Sequence, residues 1–291
     1  MGSAAIPGTE AAVKLILAAS LVLWAATLRA ADPSATLTFK TVRLDQAVMS
    51  LPAHWPTLEA DLTLWLHLHG APAVVETNFA AIGAPGVLVN VTLPGLSNVY
   101  ADHFADARRF GRLLTDVEAA LQGESSAKPW RVGRVVVSSF SAGFGGVRQL
   151  LRQPAAFARI DALVMADSIY CGYAGDVASK QIDAELMAGF LRFARLANER
   201  KKQFVVSHSR QVPEGYASTT ETADYLIAQL GLSRQDAGTE TWPGGLRLLS
   251  RCERGGFQVL GFDGAAPEDH MLHLRDLGAL LRRVRPTAEG R

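Results

Sequence analysis

The stretch Ser138-Ser139-Phe140-Ser141-Ala142-Gly143-Phe144-Gly145-Gly146 lies between an apolar run, Val135 to Val137, and a helical-looking run, Val147 to Leu151. Strand, tight turn, helix is the order in which a nucleophile elbow holds a serine at a strained apex, with small neighbours that let strand and helix pack closely. Ser141 takes the apex and Gly143 the small position two residues on. Two residues back the pattern asks for glycine and this chain has Ser139, so the motif is S-x-S-x-G. A Cβ at that point leaves the turn less room. A serine in this setting is a candidate nucleophile, and its hydroxyl attacks at neutral pH only when a base takes its proton. Polar residues that could join it stand just after other apolar runs: His69-Gly70, Asp167, Ser207-His208, and the stretch from Asp263 to His270.

The elements that must position these residues are legible from periodicity. Leu37, Phe39, Val42 and Leu44 alternate with polar residues and predict edge strands between Thr36 and Val48. Leu62 to Leu68 and Gly86 to Leu93 are dense apolar runs, as expected of strands buried on both faces, and a helix-length gap separates them. Phe104 to Leu121 has helical spacing; Pro154 should stop the helix that follows the elbow; Ile160 to Ala166 reads as a strand ending at Asp167. A helix over Leu186 to Ala197, a short strand over Gln203 to Val206 and a capping box at Ser218 to Glu221 follow. Leu246 to Arg251 and Phe257 to Phe262 flank a hairpin-like Glu253-Arg254-Gly255-Gly256, and the last helix is expected over Met271 to Val284. Strands alternating with helices predict an α/β domain, a mostly parallel central sheet flanked by helices on both faces. Such sheets carry ligand sites at the carboxyl ends of their strands, where all the polar residues named above fall.

From about Leu62 to Val284 the sequence resembles the α/β-hydrolase superfamily. The residues that carry the likeness are His69-Gly70-Ala71 after one strand, Ser139 to Gly143 at the elbow, Asp167 after the next strand and His270 after the last, in the superfamily's order Ser, Asp, His. The resemblance implies hydrolysis through an acyl-enzyme, most often of a carboxylic ester. Ser141 is then the nucleophile, His270 the base, and Asp167 the carboxylate that fixes the imidazole tautomer. Backbone N–H groups of Ala71 and Ala142 would form the oxyanion hole, to which Pro72 cannot contribute. The commoner position for the acid in the superfamily is one strand later, at Ser207-His208-Ser209-Arg210, which holds no carboxylate; the first one downstream is Glu214. His69, Tyr100 and Tyr170, near strand ends, are candidates to line the substrate cleft. About 18 residues separate Asp167 from the helix at Leu186, too few for a large helical lid. That suits small-molecule or polymer-attached esters better than water-insoluble lipids. A peptidase or acyltransferase on the same fold, and a non-catalytic hydrolase-like binding protein, are the competing readings, the latter motivated by Ser139.

Composition bounds the rest. Hydrophobic residues make up 48% and charged residues 20% of the 291, with no acidic or basic tail, so nucleic-acid binding has no support. Lys14 followed by the uncharged run Leu15 to Leu28 and then Arg29-Ala30 predicts a signal peptide over residues 1–30, leaving residues 31–291 as a single domain, secreted or periplasmic. The run is 14 residues long, short of the ~20 that span a bilayer, so no stable membrane association is expected after cleavage. The cleaved chain would carry 27 basic and 27 acidic residues. Cys171 and Cys252 could pair in an oxidising compartment or remain as buried thiols. There is no H-E-x-x-H, no G-x-G-x-x-G after the first buried strand and no phosphate loop, so neither a metal nor an organic cofactor is implied.

Overall fold

The computed structural model describes residues 39–285, so the expected signal peptide lies outside the described residues. Ten strands form one sheet: β1 (Phe39–Arg43), β2 (Val48–Pro52), β3 (Asp61–Leu68), β4 (Val87–Val91), β5 (Arg131–Phe140), β6 (Ala162–Ala166), β7 (Gln203–His208), β8 (Gln235–Thr241), β9 (Arg247–Arg254) and β10 (Phe257–Phe262). Their order across the sheet is β1-β2-β4-β3-β5-β6-β7-β10-β9-β8. The six central strands from β4 to β10 run parallel. β1 and β2 close one edge antiparallel, and β9 and β8 close the other.

Each central strand is apolar on both faces because each face is covered. Leu64, Leu66, Val135, Val137, Met165 and Val206 point into one core, which helices α2 (Ser97–His103), α3 (Arg109–Glu124), α4 (Phe144–Arg152), α5 (Pro154–Arg159), α6 (Ala184–Asn198) and α7 (Thr219–Gln229) cover. Their neighbours Trp65, Val136, Val164 and Val205 point into the opposite core, with α1 (Pro72–Ile82), α8 (Pro267–Arg275) and α9 (Leu277–Leu281). This is the two-sided parallel sheet that the alternation of elements predicts.

Three local expectations are corrected. The helix expected from Phe104 to Leu121 begins only at Arg109, as α3; α2 ends at His103, and in the turn between them the Asp106 carboxylate accepts the Arg108 N–H at 2.9 Å. The last helix breaks at Asp276, whose carboxylate accepts N–H groups of Gly244 (2.7 Å) and Leu246 (3.3 Å) and so ties the β8–β9 turn to α8. β8 was not foreseen. As expected, Pro154 ends α4, and it then starts α5 at a position where its missing N–H is no loss.

Close packing of α4 on its neighbours depends on Gly145, where a Cβ would collide with the carbonyl oxygen of Ser97 at the start of α2. Polar side chains are also built into the layer under the strand ends. His67 on β3 donates from Nε2 to the His69 carbonyl and accepts at Nδ1 from Ser138 Oγ, both at 2.8 Å. His273 on α8 pairs through Nδ1 with Ser207 Oγ at 2.8 Å, and His208 Nδ1 lies 3.0 Å from the Ser209 carbonyl. All three rings are buried. Burial lowers His67 to about 3 and both His208 and His273 to about 4, so each is neutral at pH 7.

Two outcomes are expected. Gly145→Ala should cost about 1–3 kcal/mol in urea denaturation by overpacking, whereas Gly111→Ala, on α3 with open space around it, should stabilise by about 0.5–1 kcal/mol. Equal effects would mean that the α2–α4 approach is not a constraint. Histidines depressed on folding bind fewer protons than in the unfolded chain, so their contribution is complete above pH ~6.5 and lost as pH falls toward ~4. Stability from urea melts should therefore drop by at least about 2 kcal/mol between pH 7 and pH 5, and a flat profile would contradict the burial of neutral imidazoles.

Candidate functional site

Ser141 is the first residue of a 3-10 turn (Ser141–Gly143) that joins β5 to α4. Its φ of 46° lies in the left-handed region, costly for a residue with a Cβ. The Ser141 carbonyl accepts the Phe144 N–H and, at 2.8 Å, the Ser168 hydroxyl. A Cβ on Gly143 would collide with the Leu68 carbonyl oxygen and fall 2.9 Å from the Ser139 Cβ, so the position has no room for a side chain. Ser139 is fully buried and its Oγ lies 2.7 Å from Ser168 Oγ. The departure from glycine is thus accommodated, with its hydroxyl paired.

One strand over, Asp167 also has a positive φ, 44°, and its side chain is wholly buried. Oδ2 lies 2.7 Å from His270 Nδ1. Oδ1 accepts the Ser209 N–H at 2.9 Å and the Thr219 hydroxyl. Burial alone would push this carboxyl up; the neighbouring His273 and the donors His270 and Thr219 outweigh it and hold the group well below the usual carboxylate range. Since His273 is itself neutral at pH 7, the donated hydrogen bonds are what keep Asp167 ionised. An ionised carboxylate only accepts, so His270 donates to it from Nδ1. The His270 ring stacks on Phe140, the residue before Ser141, with centroids 4.6 Å apart.

The loop after β3 completes the rim. His69 (φ 66°) and Gly70 (φ 146°) turn the chain sharply to Ala71, the residue that precedes α1. The turn is held by His67 beneath it, by Thr92 Oγ1 donating to the Gly70 carbonyl at 3.0 Å, and by Tyr100, whose hydroxyl lies 3.0 Å from His69 Nδ1. Burial, then the nearby His270, lowers His69 to about 4.

Ser141 after β5, Asp167 after β6 and His270 on α8 after β10 are therefore brought together at one end of the sheet, with Ala71 and Ala142 on the loops after β3 and β5. Tyr100 is a correction: it is fully buried, its hydroxyl accepts the Leu93 N–H at 2.9 Å, and it supports the loop instead of lining a cleft. Helix α2 turns its ring inward. Tyr170 is half-buried between Phe144 and the exposed Tyr216, with centroids 5.5 and 5.7 Å away. The other carboxylates are spent elsewhere: Asp269 accepts the Ala266 N–H at the start of α8, Asp263 pairs with Arg210 and Arg247, and Glu214 is exposed. Cys171 and Cys252 are both buried free thiols, so they are not bridged. Among the described residues no group of three or more histidine, cysteine or acidic side chains could hold a metal. Sequence reasoning missed Ser168, Ser209 and Thr219; a polar residue beside an acid or in a capping stretch carries no signal of its own.

No protein-family model matches the chain, and no curated protein matches it. Solved structures do. Ferric enterobactin esterase from Salmonella typhimurium is 11% identical with a TM-score of 0.49, the alignment covering 87% of this chain and 60% of that one. S-formylglutathione hydrolase from Staphylococcus aureus is 12% identical with a TM-score of 0.47, over 85% of this chain and 96% of that one. A cold-adapted esterase from an Arctic intertidal metagenomic library is 13% identical with a TM-score of 0.40, over 84% and 92%. The chain thus spans about 60% of the length of the enterobactin esterase. With a serine elbow between β5 and α4, helices on both faces and strand order β2-β4-β3-β5-β6-β7-β10 through its centre, the described chain has the α/β-hydrolase fold.

Proposed function

We infer that this chain is an exported serine hydrolase that cleaves carboxylic esters through an acyl-enzyme. The observation that carries the reading is the buried Asp167–His270 pair at 2.7 Å, stacked against the residue next to a serine held at φ 46°. Ser141 Oγ attacks the ester carbonyl carbon while its proton passes to His270 Nε2, and Asp167 stabilises the imidazolium that forms. The carbonyl electron pair becomes an oxyanion, received by the N–H groups of Ala71 and Ala142. Collapse expels the alcohol, which takes the proton from His270, and water then releases the acid by the same steps in reverse.

Among the described residues the exposed large apolar side chains are Leu96, Val177, Val212 and Tyr216. All stand in loops that leave the carboxyl ends of β4, β6 and β7, so the rim favours a small or polymer-attached ester with an apolar part. The stretch from Ser168 to Asp183 holds one short 3-10 turn and no longer helix, consistent with an open cleft.

A fluorophosphonate probe should label the protein and fail to label Ser141→Ala; labelling of both or of neither would remove Ser141 as nucleophile. Turnover of p-nitrophenyl acetate by Ser141→Ala should fall by more than the tenfold that ~1.4 kcal/mol of barrier represents. Asp167→Asn keeps the geometry and favours the wrong tautomer, so turnover should fall by ~10⁴, while Glu214→Gln should leave it within about twofold. The reverse ranking would place the acid after β7. Exported protein should begin near Ala31 by mass spectrometry, and an intact Leu15 to Leu28 segment would overturn export.

A further inference from the structure

Ser139 occupies a position where the elbow pattern asks for glycine, and the structure gives its hydroxyl a task. The Ser168 hydroxyl donates its single proton to the Ser141 carbonyl at 2.8 Å. The 2.7 Å contact between Ser139 and Ser168 must then be donated by Ser139, which has Met165 Sδ as a weak alternative acceptor at 3.5 Å. Both serines are fully buried, out of competition with water. The Ser141 carbonyl belongs to the same peptide unit as the Ala142 N–H. Because that unit is planar and trans, its C=O and N–H point in opposite directions, and gripping one aims the other. A donor on the carbonyl also polarises the amide and strengthens its N–H as a donor.

The second proposed oxyanion donor is held in the same manner. Thr92 Oγ1 donates to the Gly70 carbonyl at 3.0 Å, the carbonyl of the peptide unit that carries the Ala71 N–H. That bond is exposed, so water can replace it.

We propose that Ser139 and Ser168 are positioning residues that aim the Ala142 N–H at the oxyanion by hydrogen-bonding its peptide unit from behind. The inference rests on the serine-hydrolase reading above. The chain of donors runs Ser139 O–H to Ser168 Oγ, Ser168 O–H to Ser141 C=O, and Ala142 N–H to the oxyanion. Ser168 adjoins Asp167, so the loop after β6 orients the base through one residue and the oxyanion hole through the next.

An oxyanion donor acts when the carbonyl oxygen becomes charged, so its misalignment lowers kcat and spares KM. On p-nitrophenyl acetate, Ser168→Ala should lower kcat about tenfold, Ser139→Ala about threefold and Thr92→Val less than about twofold, fractions of the 10²–10³ lost with a whole donor, each with KM within twofold. An aryl trifluoromethyl ketone adds Ser141 Oγ to its carbonyl carbon, sends the serine proton to His270 and leaves an oxyanion in the same hole. Its inhibition constant should rise in Ser168→Ala by the same factor as kcat falls, while circular dichroism at the assay temperature stays that of the unaltered protein. If Ser168→Ala does not fold, Ser139→Ala decides, since it keeps both the Cβ and the Ser168 bond. Ser141→Ala inactive with Ser168→Ala and Ser139→Ala at full kcat would overturn the positioning role and leave the hydrolase reading intact. Ser141→Ala still active would overturn both. Loss spread equally over kcat and KM, with the ketone's inhibition constant unchanged, would mean a merely structural contact and would also defeat the proposal.

Discussion

A carboxylate with no exposure to solvent must be satisfied by donors of the protein, and at Asp167 that requirement ties distant parts of the chain to one point. Its partners lie 42, 52 and 103 residues further on: the Ser209 N–H after β7, the Thr219 hydroxyl at the start of α7 and the His270 ring on α8. Remove any of these elements and the charge is stranded in a low-dielectric layer, at a cost of several kcal/mol. The site is thus coupled to complete docking of the second half of the fold. The same donors keep the carboxylate ionised, so what stabilises the fold also defines the histidine tautomer.

Around that point the packing is set by how closely the turn into α4 and its first residues approach β3 and α2. Gly143 and Gly145 have no room for a Cβ, yet Ser139, directly below the turn, carries both a Cβ and a hydroxyl. A buried hydroxyl without a partner costs ~1–3 kcal/mol, enough to make serine a poor substitute for glycine there. Ser168 removes that cost. The substitution at the elbow is therefore linked to a residue 29 positions away, and neither is understandable alone.

The central sheet was legible because parallel strands buried on both faces leave dense apolar runs, and because such strands align their carboxyl ends. Ser141, Asp167 and His270 could be read as neighbours from their places after those runs. What stayed hidden was written by tertiary contact. β8, with the sequence Gln-Asp-Ala-Gly-Thr-Glu-Thr, has no apolar alternation and is a strand through its pairing with β9. Asp106 and Asp276 break helices by accepting backbone N–H groups, which periodicity does not register. Tyr100 follows β4 and was expected at the rim, but α2 presents it to the core, where its hydroxyl closes a loop. Thr219 looked like part of a cap and also serves the buried carboxylate.

Three residues with side chains adopt positive φ at adjacent strand ends: His69 after β3, Ser141 after β5 and Asp167 after β6. Glycine would relieve about 1–2 kcal/mol of strain at each. At 141 and 167 the proposed chemistry needs the side chains, so the strain has to be borne. At 69 the reason is structural. The His69 ring packs edge-on against Tyr100 at 5.3 Å and stacks on Phe140 at 6.2 Å, and Phe140 stacks in turn on His270 at 4.6 Å. These four rings make a continuous file from Tyr100 in the core to His270. A glycine at 69 would leave Phe140 free on one side, and with it the surface against which the His270 ring lies. Asp167 fixes one edge of that imidazole and the file of rings fixes its plane.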